Sequence, residues 1–287
     1  MSAERSREVS GWWSSNPQTY GDLHGKASHG GAQTTVGDAE FFEHADRTFF
    51  RWNQHLHHKQ PFDRLFPYER FRGKRVLEIG CGMGAMAALW ASRGAEVTAV
   101  DLAPRSVEMT RRRLSLMGLA GKVIEADGRT LPFSDGEFDY VYSWGVLHHS
   151  PDLALSLREM MRVLRRNGEF GLMLYHRHSL FYAWRVRYRE GFLHNESDFL
   201  DPVSLSSRYT DASEAEGNPH TWPVTRSELR RVLGSYSSDI RFRVLGSEVD
   251  HILNMMLPGL GRITPRWALK PWARRFGWSL WCCGTRA

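Results

Sequence analysis

Cysteine is scarce in this 287-residue chain, which has only Cys81, Cys282 and Cys283. An odd set with two adjacent members forms no disulfide framework and suits a reducing cytoplasm. Long hydrophobic runs are also missing: none approaches the roughly 20 apolar residues of a membrane span. The opening residues, MSAERSREVSGWW, carry charges where an export signal has its apolar segment, so no signal peptide is expected. There is no internal repeat and no low-complexity tract. His55, His57, His58, His176 and His178 lack the cysteine partners and spacing of a zinc motif, and no metal is expected. The net charge of +6 raises the question of nucleic acid, but the basic residues are scattered. The Arg111–Arg113 run falls within a predicted helix and reads as a solvated face.

With 41% apolar and 24% charged residues, the composition is that of a globular protein long enough to bury a large core. From Arg75 onward, short apolar strands alternate with amphipathic helices, the mark of a parallel sheet covered on both faces. RVLEIG (75–80), AEVTAVD (95–101), KVIEAD (122–127), FDYVYSW (138–144) and EFGLMLYH (169–176) read as five strands. Helices are predicted over 85–94, closed by Gly94, and from Pro104 to Gly118. A third starts at Ser150-Pro151-Asp152, buries Leu153, Leu157, Met160, Met161 and Leu164, and stops at Asn167-Gly168. A helix (225–234), a strand (240–246) and a final strand in GWSLWCCGT complete the sheet.

This pattern divides the chain into four parts: an N-terminal cap at 1–70 with a helix over about 39–57, a core at 71–177, an inserted segment at 178–224, and a completing part at 225–287. The last part carries a second insertion at about 250–275, with Trp267, Trp272 and several Arg and Lys residues. Such a segment can touch a membrane surface or admit a lipid-like substrate, but its prolines should break a long amphipathic helix, and membrane contact is not the expected role.

The strongest local signal is VLEIGCGMG, in which Gly80, Gly82 and Gly84 follow Glu78. The glycines allow a tight turn and close approach of a ligand to the backbone. The spacing is G-x-G-x-G with a preceding acid, not the G-x-G-x-x-G of a dinucleotide site. Glu78 would repel a pyrophosphate and attract a cationic amino group. Asp101 ends the second strand, where an acid can accept from two ribose hydroxyls, and Asp127 ends the third at the same rim. The three acids suit a nucleoside with a positively charged amino-acid tail.

VLEIGCGMG, VTAVDLAP, EADGRTLPFSDGEFDYVYSWGVLHH and REMMRVLRRNGEFGLMLY together make the chain similar to the class I S-adenosylmethionine-dependent methyltransferases, in the small-molecule branch with a type 11 methyltransferase domain. The resemblance covers about a hundred residues of the core; RRNGE stands where many relatives have Pro-Gly-Gly. It implies a Rossmann-like, doubly wound, mostly parallel seven-stranded α/β sheet with N-terminal and inserted lid segments. It further implies S-adenosylmethionine as cofactor, S-adenosylhomocysteine as product, and a small metabolite, of the kind modified in secondary metabolism, as acceptor.

Glu78, Gly80, Cys81 and Gly82 would then line the methionine end of the cofactor. Asp101 would hold the ribose, Leu102 would pack on the adenine, and Asp127 with Gly128 would meet its amino group. Ser143 and Trp144 would lie near the methyl donor. The Asn/Asp-Pro-Pro-aromatic motif of nucleobase and glutamine amide methylation is replaced by Ser143-Trp144-Gly145-Val146, so no nucleic-acid partner is expected. O-methylation, N-methylation and C-methylation all stay open, as does a cofactor-binding scaffold without turnover.

Lids of this fold commonly cover the substrate. Trp12, Trp13 and Tyr20 in the first segment, and Phe181, Tyr182, Trp184 and Tyr188 in the insertion, are candidates for that water-excluding cover or for a satellite core. Finally, SWGVLHHSPD puts His148 and His149 on the rim loop after strand four. The helix N-terminus beyond disfavours imidazolium, which makes a general base chemically reasonable, although positioning the loop beside the cofactor is the first reading of the pair.

Overall fold

The computed structural model describes residues 2–16, 36–211, 217–246 and 249–287. β1 (Arg75–Ile79), β2 (Glu96–Asp101), β3 (Lys122–Glu125), β4 (Phe138–Trp144) and β5 (Leu164–Tyr175) pair in parallel. β6 (Arg241–Leu245) and β7 (Ser279–Thr285) complete a seven-stranded sheet of order β3-β2-β1-β4-β5-β7-β6, with β7 antiparallel to both neighbours. The chain therefore has the expected Rossmann-like, mostly parallel architecture.

Alternation along the strands separates two cores. Val76, Tyr140 and Tyr142 face one side with Trp90 and Phe66, while Leu77, Ile79 and Val141 face the other with Leu157 and Met160. A one-residue slip of β1 or β4 would exchange the two sets, so burial itself pins the register. Strand order reverses at β1, between β2 and β4, and the carboxyl ends of these strands form the crevice where open α/β sheets bind ligands.

The helices are α1 (Ser2–Ser15), α2 (Ala39–Trp52), α3 (Ala85–Ser92), α4 (Pro104–Leu116), α5 (Leu153–Val163), α6 (Pro202–Tyr209), α7 (Arg226–Leu233), α8 (Val249–Met256), α9 (Leu260–Ile263) and α10 (Arg266–Phe276). Phe181–Leu193 winds more widely, with the His194 N–H reaching back five residues to the Arg189 carbonyl.

Three local expectations are corrected, and one helix is added. The helix expected to stop at Asn167-Gly168 ends at Val163, and β5 begins at once. Asn167, at φ +59°, sits instead in an excursion of β5, where its N–H bonds the Arg286 carbonyl. The N-terminal lead contains a helix, α1, that its mixed composition did not announce. Arg113 is not on a solvated face: it is buried, donates to both oxygens of Asp46 at 2.8 Å, and lies 4.4 Å from the centre of the Phe42 ring. Pro271 does not break α10, which runs through it from Arg266 to Phe276. The missing N–H removes one helical bond near the surface, where water can serve the freed carbonyl.

Candidate active site

A cavity of about 740 Å³ opens at the carboxyl ends of β1, β2 and β4. That volume lies within the roughly 300–1,000 Å³ of small-molecule sites. Glu78, Gly80, Cys81, Gly82, Asp101, Leu102, Asp127, Gly128, Trp144 and His149 all line it. So does Trp13. Ser143, by contrast, turns into the core and donates to the Ile79 carbonyl at 2.8 Å, and His148 is fully buried behind the wall. Trp12 stands edge-on to Trp13 with centroids 4.7 Å apart but does not line the cavity. Tyr182 packs in a satellite core with Val186, Leu205 and Trp278, while Trp184 stacks on Tyr188 away from the cavity. Tyr20 lies outside the described residues. Phe181 does reach the cavity.

At one end the glycine loop forms the wall. Gly80, Gly82 and Gly84 all have positive φ, +82°, +53° and +76°. A Cβ on Gly80 would stand 2.4 Å from both methyls of Val146, whereas one on Gly82 would meet nothing within 4 Å. Asp101 accepts from the Gly82 N–H and the Ala103 N–H, each at 2.9 Å, which fixes its carboxylate across the loop. Each carboxylate oxygen keeps a further lone pair for a ligand hydroxyl. Burial raises the pKa of Asp101, and the backbone donors from Ala103, Gly82 and Leu102 oppose it.

Glu78 is 2% exposed, and its Oε2 has no hydrogen-bond partner in the protein. Burial pushes its pKa well up and the Asp101 charge adds to this, against the Tyr142 hydroxyl and the Ala87 N–H nearby. An unsatisfied carboxyl at a cavity wall calls for a proton or a cationic ligand. With open space at Gly82 and a fixed carboxylate at Asp101, the donor set fits a nucleoside bearing an ammonium group.

Asp127 is already engaged. Arg129 donates to it from Nε at 3.1 Å and from Nη2 at 2.7 Å, and also bonds the Ser6 hydroxyl of α1. Burial raises the Asp127 pKa, but the Arg129 bonds and charge outweigh it and hold the carboxyl below the usual range. Ser6, Val9, Ser10 and Trp13 all line the cavity, one face of α1 at helical spacing, and the Ser10 hydroxyl donates to the Leu102 carbonyl at 2.8 Å. That spacing, at offsets of three, four and seven from Ser6, was the available signal for α1 as a cover.

The opposite end is aromatic and holds the second titratable set. His149 Nδ1 lies 2.9 Å from the His220 carbonyl and 3.0 Å from the Thr221 hydroxyl. A carbonyl only accepts, so Nδ1 carries the proton, and Nε2 of the neutral ring keeps its lone pair. Nε2 is 3.4 Å from Asp211 Oδ2, an ion-pair distance without hydrogen-bond geometry. Asp211 Oδ1 accepts from the Tyr175 hydroxyl at 2.6 Å. Trp13 closes over His149 with ring centroids 5.0 Å apart.

His148 is sandwiched in this wall, 3.8 Å from the Tyr175 ring centre and 4.3 Å from that of His149, and neither ring nitrogen has a partner. Burial pushes its pKa well down, with His149 and His220 adding to it, so it is a neutral packing group. Among the described residues, His148, His149 and Asp211 are the one set of three whose ligand atoms, within 4.8 Å of one another, are close enough to approach a metal ion. Asp211, Tyr175, Thr221 and Trp278 were not foreseen. Asp211 is 62 positions from His149, and no local pattern links them.

The fold and this acid-glycine wall define the class: an α/β domain with the architecture of the S-adenosylmethionine-dependent methyltransferases. Residues 77–172 match the family model described as a methyltransferase domain. That stretch of the chain is thus similar to a methyltransferase domain.

Over 148 residues the chain is 33% identical to a ubiquinone biosynthesis O-methyltransferase of Xanthomonas oryzae, spanning 47% of this chain and 60% of that protein. Over 96 residues it is 35% identical to a sterol 4-C-methyltransferase of Caenorhabditis elegans, spanning 33% of this chain and 29% of that protein. The chain thus spans less than two thirds of these curated relatives. In structure it is similar to an S-adenosylmethionine-dependent methyltransferase of Methanosarcina mazei, with TM-score 0.54 and 18% identity over 77% of this chain and 97% of that one. It is also similar to the [4+2]-cyclase SpnF, with TM-score 0.53 and 16% identity over 98% and 95% of the two chains. These structural likenesses establish the fold; the reaction has to be argued from the site.

Proposed function

We propose that this chain is an S-adenosylmethionine-dependent methyltransferase that acts on a hydroxyl group of an apolar small molecule. The observation that carries the reading is one cavity with a buried carboxyl, Glu78, whose Oε2 has no partner, at one end and a histidine of defined tautomer, His149, at the other.

When bound, S-adenosylmethionine supplies a methyl group on a cationic sulfur, which an acceptor displaces in line to leave S-adenosylhomocysteine. Glu78 balances the ammonium group, Asp101 holds the ribose hydroxyls, and Gly80, Cys81 and Gly82 offer backbone to the methionine end. Leu102 packs on the adenine, Asp127 with Gly128 stands at its rim, and Trp144 lies toward the acceptor. His149 Nε2, enclosed beside the Asp211 carboxylate, is the group that accepts the hydroxyl proton once the acceptor is seated, and Asp211 stabilises the imidazolium that forms. Tyr175 steadies Asp211. Trp13, Phe181 and Trp278 exclude water, which matters because alignment and desolvation supply most of the rate in such a displacement.

A carboxylate acceptor needs no base, so the His149–Asp211 pair favours a hydroxyl. C-methylation is the second reading, supported by the similarity to a sterol 4-C-methyltransferase, because the same base can take a proton from an activated carbon. The three cysteines are unpaired, in keeping with a cytoplasmic enzyme.

The test is incubation with isotopically labelled methyl donor and metabolite extracts, followed by mass spectrometry and NMR of the labelled product. A carbon-bound label would select C-methylation. S-adenosylhomocysteine binding without any labelled product would leave a scaffold instead of an enzyme. The same assay with a chelator should give unchanged turnover; a loss restored by a divalent ion would assign His148, His149 and Asp211 to a metal.

A further inference from the structure

The net charge of the chain is confined to one region. From His251 to the last residue there is no Asp or Glu, while Arg262, Arg266, Lys270, Arg274, Arg275 and Arg286 are present. The other residues carry as many basic as acidic side chains, so the whole formal excess of +6 lies here. Five of these six cations are on α9 and α10, and among the described residues none of the five pairs with a carboxylate.

Large apolar side chains lie among the cations in water. Ile263 is 77% exposed, Trp267 75%, Leu257 58% and Trp272 56%, and α10 buries no residue at all. Single exposed apolar residues need no explanation, but two tryptophans and two aliphatics within one cationic helical layer do. Tryptophan at the edge of an apolar face, flanked by Arg and Lys, suits the boundary between lipid headgroups and acyl chains. The layer is anchored, since α8 packs on α9 and α10, and α10 packs on β6. It also borders the cavity: His251 on α8 and Trp278 just after α10 both line the wall.

We infer that α8, α9 and α10 dock on an anionic phospholipid bilayer, bringing the aromatic end of the cavity toward the surface. The cations supply long-range attraction and the exposed Trp, Ile and Leu side chains the apolar contact. The inference does not rest on methyl transfer and is read out without any acceptor.

The test is cosedimentation of the full chain with phosphatidylcholine vesicles, with and without phosphatidylglycerol, at low and raised salt. Binding is expected only with the anionic lipid, with part of it surviving raised salt. Lys270→Ala with Arg274→Ala should weaken partitioning on the order of twenty-fold, from about five-fold per surface cation. Trp267→Ala with Trp272→Ala should abolish the salt-resistant part. Absence of phosphatidylglycerol-dependent binding would overturn the inference. So would binding that ignores the tryptophan changes and is competed fully by heparin, which would indicate a soluble polyanion as the partner.

Discussion

Adding one methyl group at Gly80 and at Gly82 should separate folding from ligand binding. Both residues have positive φ, so alanine at either position costs roughly 1–2 kcal/mol in backbone strain. At Gly80 the new Cβ also meets the Val146 methyls at 2.4 Å, and overpacking of this kind adds about 1–3 kcal/mol. Gly80→Ala should therefore lose about 2–5 kcal/mol, a large share of the 5–15 kcal/mol of a typical domain. A second change, Val146→Ala, should restore much of the packing part. At Gly82 the added methyl meets no protein atom, so the stability loss stays near the strain alone. The methyl then stands in space the ligand needs, and the same overpacking, now borne by the ligand, weakens binding by roughly five- to 150-fold. The assays are denaturant unfolding and calorimetric titration with S-adenosylhomocysteine. If Gly82→Ala binds like the parent, or if Gly80→Ala unfolds no more easily than Gly82→Ala, the placement of the glycine loop against the ligand is wrong.

Two further outcomes follow from the other end of the cavity and from the buried histidines. Asp211→Asn removes the charge beside His149 Nε2 and should lower kcat by about ten- to a hundred-fold with little change in KM, and Tyr175→Phe, which removes one hydrogen bond, by up to about tenfold; an Asp211→Asn enzyme with parental kcat at every pH would remove Asp211 from the mechanism. Burial lowers the pKa of His176 to about 4, although the Gly277 carbonyl opposes it, whereas an unfolded histidine titrates near 6.5. The unfolded chain therefore binds the extra proton first, so this contribution is intact above pH 6.5 and is lost as pH falls toward 4. Between pH 7 and 5 the parent should lose about 1–2 kcal/mol more than His176→Gln, after allowance for partial solvent screening. The raised pKa of Glu78 acts in the opposite sense but is common to both proteins and cancels. Equal pH slopes in urea unfolding would contradict the buried, neutral His176.

The sheet was legible because burial leaves a periodic trace. Val76, Tyr140 and Tyr142 alternate with Leu77, Ile79 and Val141, and β1 to β4 each end at or beside a glycine or an acid at the rim. Glu78, Asp101 and Gly82 were readable for the same reason: they are tied to local strand ends and a turn whose positive φ favours glycine. The misread helix end at Val163 shows the limit of turn signals, since Asn167 at φ +59° serves an excursion of β5 instead of a helix cap.

What linear order could not reveal are the contacts made by long closure. Arg113 looked like one of three solvated arginines until the fold placed Asp46 and Phe42 beside it. His148 and His149 are neighbours in sequence, yet one is a buried packing ring and the other faces the cavity with a fixed tautomer. That difference is imposed by His220, Thr221, Asp211 and Tyr175, which reach the pair from an insertion and from β5. The sequence alone determined where the ligand rim lies, because strand ends and glycine turns are local. Only the tertiary structure decided which histidine faces the cavity and which of its ring nitrogens is bonded, because that depends on a carbonyl and a carboxylate more than 60 residues away along the chain.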